Sequence, residues 1–229
     1  MELSGKTVIV TGGFGALGMV VAEAVAASGA KVALVDRADA PGTLGANMTA
    51  FAGRDLTDPA DAARTIDEIA ERLGALYGLV NIAGGFRWET LKDGDVATWD
   101  LMFRINLKTA VCASKAALLH LLKAKSGRIV NIGAGAAAKA GLGMGAYAAS
   151  KAGVAKLTEA LSEEVKGEGI NVNAILPSII DTPANRKDMP KADFSKWVTP
   201  EAIADVIVFL LSEKSQAITG ASIPVPGQM

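Results

Sequence analysis

Lys6-Thr7-Val8-Ile9-Val10-Thr11 runs straight into Gly12-Gly13-Phe14-Gly15-Ala16-Leu17-Gly18, and the join between the two stretches decides the fold. The first is an unbroken apolar run rich in β-branched side chains, as a strand buried on both faces of a parallel sheet requires. The second spaces Gly13, Gly15 and Gly18 as G-x-G-x-x-G. With 25 glycines in 229 residues such a string arises easily by chance. Its place between a strand and a predicted helix over 15–28, stopped by Gly29, gives it a mechanism. Glycines let the backbone approach a pyrophosphate, and a helix N-terminus offers it free N–H groups and a partial positive charge.

Outward from this loop, the next strand is predicted over 31–35 and ends at Asp36. A carboxylate there accepts from both hydroxyls of an adenosine ribose and repels a 2′-phosphate, which favours NAD over NADP. Arg37 works the other way, since its guanidinium suits that phosphate. Further strands are predicted over 48–52, 77–82, 128–132, 170–176 and 222–225. Helices are predicted over 58–73, with Pro59 in the first turn, over 95–125 as one rod or two stacked ones, and over 146–166 and 200–212. Strand and helix alternating in this way imply right-handed βαβ units and an α/β fold, a doubly wound parallel sheet of Rossmann type. No linker, repeat or low-complexity tract divides the chain, so residues 1–229 are expected to form a single domain. Residues 177–198 hold three prolines and read as a loop over the sheet edge, a substrate loop.

Composition narrows the function. Half of the residues are apolar, only 5% are aromatic and the net charge is −1, with no basic run longer than two residues. The electrostatic footprint of a nucleic-acid binder is missing. The single cysteine, Cys112, cannot form an intrachain disulfide, the first residues lead straight into a strand, and no apolar stretch suits a bilayer. A cytoplasmic protein is expected, with no membrane partner. His120, the lone histidine, lies in an apolar helix without companion ligands, so no metal site is expected.

Tyr147 and Lys151 are four residues apart and share a helix face. An ammonium near a phenol favours the phenolate and brings it toward use as a general acid or base. The same lysine could reach a cofactor ribose.

From these residues on, the chain resembles the short-chain dehydrogenase/reductase family over nearly its whole length. Thr11-Gly12 with Gly15 and Gly18 is similar to the family's glycine motif, although Ala16 stands where glycine is usual. Asp55-Leu56 matches the pair bordering the adenine. Asn81-Ile82-Ala83-Gly84 resembles the Asn-Asn-Ala-Gly motif with its second Asn changed. Asn106 matches the asparagine that the resemblance casts as holding a water in a proton relay to Lys151. Tyr147 through Lys151 is the Tyr-x-x-x-Lys element. Pro177, Ile180 and Thr182, with Pro183, lie in a segment resembling the one that holds the nicotinamide amide, with Ser178 where glycine is common. The resemblance implies an enzyme, an NAD(P)(H)-dependent oxidoreductase with a small-molecule substrate. It also implies a homodimer or homotetramer.

One departure stands out. The family's serine, 13 residues before the tyrosine, is here Ala134. Losing a donor to a developing oxyanion costs on the order of 2.7–4 kcal/mol of transition-state stabilisation. Quinonoid dihydropteridine reductases share the substitution, and Gly13 through Gly18, Ala83-Gly84-Gly85-Phe86 and the long stretch from Asp181 to Trp197 are similar to that subset. A pterin-like or quinonoid ring is thus the sharpest substrate expectation. The alternative is a catalytically degenerate dinucleotide-binding regulator. Phe86 and Trp197, and behind them Trp88 and Met144, are candidates to line a flat-ring pocket. Ser150 and Cys112 are expected to pack, and Arg186 and Lys187 to be solvated.

Overall fold

The carboxyl end of β1 (Thr7–Thr11) lies in the interior of a seven-stranded sheet, at the point where strand order reverses. The order is β3-β2-β1-β4-β5-β6-β7, and every pairing is parallel. The remaining strands are β2 (Lys31–Val35), β3 (Met48–Phe51), β4 (Leu76–Asn81), β5 (Gly127–Ile132), β6 (Ile170–Pro177) and β7 (Ser222–Val225). Going from β2 the chain winds away on one side, and from β4 on the other, which opens a crevice beyond the strand ends. This is a computed structural model, and it describes residues 2–228.

Helices cover both faces because alternate residues of each central strand turn to opposite sides. Val8 and Val10 of β1 pack with Val21 and Val25 of α1 (Ala16–Ala27) and with Ile203 and Ile207 of α7 (Pro200–Leu211). Ile9, between them, faces the other layer. There it joins Ile66 and Ile69 of α2 (Pro59–Leu73), Leu121 of α4 (Thr109–Ala124) and Leu161 of α5 (Gly145–Glu164). Asp58 caps α2 by accepting from the Ala60 and Asp61 N–H groups, with Pro59 at the first position. No helix among the described residues is long and apolar enough to cross a membrane.

Two segments differ from the sequence expectation. Residues 95–125 form one continuous helical rod, as one of the two expectations had it, but not a regular one. α3 (Val96–Met102) passes into a π-helical turn, Phe103–Lys108, and this into α4. The stretch 177–198 is not merely a loop. It contains α6 (Pro183–Asp188), whose first turn is capped by Thr182 accepting from the Asn185 N–H at 3.2 Å, and a 3₁₀ turn at Phe194–Lys196. Its two ends are tied together where Asp181 N–H donates to Val198 (2.8 Å) and Val198 N–H to Ile179 (3.1 Å).

Candidate active site

The glycine loop after β1 is compact enough that side chains would block it. Gly12 adopts φ +65°, and a Cβ there would lie 2.9 Å from the Ala83 backbone. A Cβ on Gly18 would collide with the Gly12 carbonyl, and one on Gly13 would come 2.7 Å from the Leu34 side chain. Thr11 sets the loop against β4, its hydroxyl oxygen accepting from the Ile82 and Ala83 N–H groups at 3.1 Å each. Asp36 braces the far side: its carboxylate accepts from Phe14 N–H and Ala38 N–H, both at 3.1 Å.

Above these strand ends lies a cavity of about 420 Å³. Gly12, Gly15, Ala16, Leu17 and Gly18 form its floor. Asp36 and Arg37 stand at one end with Asp55 and Leu56, while Ala83, Gly84 and Thr182 lead to the other. Hydrogen bonds from Thr57 hold the Asp55 carboxyl below its ordinary range, and the charges of Arg37 and Arg104 act in the same direction. The sequence motifs missed Arg54, Thr57, Ile82, Ile105 and Thr109, which also line this cavity. Ile82 lies inside the Asn81–Gly84 motif at its changed position, while the others sit beside motif residues in space and nothing in their own spacing marks them. Gly13 and Phe14 are not in the lining. Gly13 lets the loop lie against Leu34 of β2, and Phe14 offers its N–H to Asp36.

Asn81 requires a correction. It does not line the cavity. Its buried amide donates to Asn131 Oδ1 (2.8 Å) and Ser114 Oγ (3.1 Å), and Asn131 donates on to Thr158 Oγ1 (2.9 Å). The asparagine thus stitches β4 to β5 and to α4, and through Asn131 to α5, in the middle of the sheet, where side chains of the strand ends turn inward.

A second cavity of about 200 Å³ shares Leu17, Ile82 and Gly84 with the first and carries Tyr147, Lys151, Pro177 and Ile180 in its walls. The small residues of α5 let it lie close on the sheet, so Lys151 is buried and donates to the Ile132 carbonyl at 2.7 Å. Desolvation brings its ammonium down to about 8. Tyr147 is half-buried, with the Phe86 ring edge-on to it at 5.0 Å. Burial pushes its phenol up to about 12. The phenol therefore shifts opposite to the expectation of one lowered by its lysine, and for both groups the cause is desolvation by burial.

Asn106 comes from the π-helical turn and is 2% exposed. Its Oδ1 accepts from Gly85 N–H (2.8 Å), while its Nδ2 donates to the Gly85 carbonyl and to Ser150 Oγ, both at 3.0 Å. Ser150 in turn donates to the Tyr147 carbonyl at 2.7 Å. Ser150 is therefore a polar tie rather than simple packing, and Asn106 links the Gly84-Gly85 wall to the helix bearing Tyr147. A Cβ on Gly84 would run into Asn106 and lie 3.7 Å from Lys151 Nζ, so these three positions meet.

Ala134 is buried in the wall of the second cavity, its methyl standing where the resemblance puts a hydroxyl. Phe86 lines that cavity as expected, and Trp88, Met144 and Trp197 do not. Trp88 is 60% exposed beside Gly143, while Trp197 is buried against Phe194 with ring centroids 4.8 Å apart. Arg186 is not simply solvated. It clasps Asp181 through two bonds of 2.5 and 2.7 Å and covers the Phe194 ring, bracing the 177–198 segment. His120 pairs with Asp67 across α4 and α2 at 2.8 Å, away from either cavity. Cys112 is buried, and its thiol is pushed up by desolvation.

Similarity to known proteins agrees with this geometry. The sequence model of the short chain dehydrogenase family matches residues 6–193. The 2-(S)-hydroxypropyl-CoM dehydrogenase 3 of Xanthobacter autotrophicus is 33% identical, with 100% of this chain and 98% of that protein covered. A 3-oxoacyl-(acyl-carrier-protein) reductase of Pseudomonas aeruginosa is 34% identical over 100% of this chain and 99% of its own length. Among solved structures, a short-chain type dehydrogenase/reductase from Mycobacterium ulcerans superposes with a TM-score of 0.92 at 26% identity, covering 100% of this chain and 90% of that one. With the motif, the sheet order and the Tyr147–Lys151 helix all in register, the chain belongs to the short-chain dehydrogenase/reductase family of oxidoreductases.

Proposed function

We propose that this protein is an NAD(H)-dependent reductase of a small, flat organic substrate, with Tyr147 as proton donor. One observation carries the proposal: the cavity holding Tyr147 and Lys151 adjoins the glycine cradle, the two sharing Leu17, Ile82 and Gly84 in their walls. Family membership supports a nicotinamide dinucleotide, NAD(H) or NADP(H). The cradle that any Cβ at Gly12 or Gly18 would fill fits its pyrophosphate. Asp36 would take the ribose, which favours NAD, while Arg37 keeps NADP as the lesser partner. Asp55 and Leu56 would border the adenine, Ala83 and Gly84 the middle, and Pro177, Ile180 and Thr182 the nicotinamide end. When bound, the cofactor supplies the hydride.

The protein's own contribution is the proton and its placement. Burial keeps the Tyr147 hydroxyl protonated at neutral pH, which suits donation to a substrate being reduced. Lys151, near the midpoint of its titration in mildly alkaline solution, is placed to return a proton after turnover. Asn106 acts as a positioning residue, holding Gly85 and the tyrosine's helix together.

The substrate expectation is a pterin-like or quinonoid ring. It is supported by the methyl of Ala134, by the exposed Phe86 ring on the pocket wall, and by the likeness of residues 181–197 to quinonoid dihydropteridine reductases. A catalytically degenerate dinucleotide-binding regulator is the second reading, favoured by Ala134 alone. An intact tyrosine–lysine pair in a shared cavity argues against it.

NADH oxidation assayed with quinonoid dihydropterin and with a panel of simple ketones separates these readings. Turnover of the ring compound well above that of the ketones is expected. Good ketone turnover beside none of the pterin removes the ring substrate. Bound NADH with no turnover of any compound supports the regulator.

A further inference from the structure

We propose that the Ser178 hydroxyl takes the substrate-holding position that Ala134 leaves without a donor. The inference rests on the reductase reading of the site. Among the described residues lining the second cavity, only Tyr147, Lys151 and Ser178 bring side-chain hydrogen-bonding groups. Tyr147 is assigned the proton transfer, and Lys151 already donates to the Ile132 carbonyl. Ser178 is the one remaining hydroxyl.

Its place in the fold matches the vacancy. β5 and β6 run side by side with Ile132 paired to Ile175, and the register continues past the strand end, where Gly133 N–H donates to the Ile175 carbonyl at 2.8 Å. A Cβ on Gly135 would lie 3.5 Å from the Pro177 carbonyl. Ala134 and Ser178, the neighbours of these two residues, thus belong to one wall of the same cavity. The other hydroxyls nearby stand elsewhere: Ser150 donates to the Tyr147 carbonyl, and Thr182, whose oxygen accepts from the Asn185 N–H, lines the neighbouring cavity, while the Gly85 N–H is held by Asn106.

Ser178 is also free to turn. Its hydroxyl donates to the Pro226 carbonyl at 2.6 Å on the solvent-exposed side of the segment. Rotating toward substrate exchanges one neutral hydrogen bond for another, and water can take over at the Pro226 carbonyl. Ser178 keeps its proton throughout. With a bound nicotinamide group to supply the hydride, Tyr147 would give the proton and Ser178 would donate a hydrogen bond to the substrate heteroatom that gains electron density.

The test uses the NADH-loaded enzyme and whichever pterin or ketone the wild type reduces, with Ser178→Ala, Ala134→Ser and the double variant. Ser178→Ala is expected to lower kcat about 100-fold while NADH affinity, read by fluorescence titration, stays within about twofold. Adding Ala134→Ser to it should restore at least about tenfold of that loss, because a hydroxyl returns to the same wall. An unchanged kcat in Ser178→Ala overturns the proposal. So does a loss of NADH affinity as large as the loss in kcat, which would assign the hydroxyl to the cofactor. A double variant no faster than Ser178→Ala also overturns it, leaving the Pro226 contact as the serine's role. If the wild type reduces no compound, the reductase reading fails first and this proposal falls with it.

Discussion

Tyr147 and Lys151 sit close together, yet burial sets the proton affinity of each separately, and substitutions can test them one at a time. Tyr147→Phe keeps the ring against Phe86 and removes only the proton donor. NADH should still bind, while turnover falls by about 10²- to 10⁴-fold in steady-state assays. Lys151→Met tests the buried charge through stability. The folded lysine titrates at about 8 against an ordinary 10.5, so between these values the unfolded chain binds the extra proton. Stability from this group is therefore low below pH 8 and grows as pH rises toward 10.5, by up to about 3 kcal/mol. Urea melts at about pH 7 and about pH 10 should show wild type gaining on Lys151→Met, and equal differences at both would refute the buried-cation account. The pairing of these two residues was legible because helical spacing is local. The direction of their proton affinities was not, because burial depends on where Ile132 and the sheet lie. Asn81 shows the same limit: its motif was visible, and only the fold reveals that the amide turns inward to Asn131.

Among the elements, the strands and long helices could be read to within a residue or two, since parallel-strand apolar runs and Ala-rich helices carry their own periodicity. The π-helical turn at Phe103–Lys108 could not. It contains no proline or glycine, and one additional residue in a turn barely alters an apolar pattern. Its consequence is to present Asn106 to Gly85. Asn106→Ala would leave both the N–H and the carbonyl of Gly85 without their partner, costing about 2–4 kcal/mol in a thermal or urea melt and slowing turnover with it. By contrast α6 carries a signal of its own, Thr182 before Pro183, but three prolines in 177–198 read as irregular chain. The glycine loop offers a further test at this scale. Gly18→Ala places a methyl against the Gly12 carbonyl, so α1 must shift, and NADH affinity should fall at least about tenfold with a lowered melting temperature. Unchanged affinity would mean that the loop is not the pyrophosphate cradle.

For the molecule as a whole, two apolar layers on one parallel sheet follow directly from the alternation of Val8, Ile9 and Val10. Assembly does not follow from one chain, but the surface suggests it: Val111 and Leu119 on α4, with Phe103 at the π turn, remain open to solvent. Light scattering at micromolar concentration should give a homodimer or homotetramer, and a monomer would count against this. The far end of the chain has a practical side. Gln228 N–H donates to Lys196 at 3.1 Å, and Gly227 at φ +70° is pressed against residues 196–198. Whatever is attached after this point emerges beside residues 196–198 at the carboxyl ends of the parallel strands, whereas the chain enters β1 at their amino ends. A purification handle belongs at the amino terminus; at the other end it would crowd the tie between Ile179 and Val198.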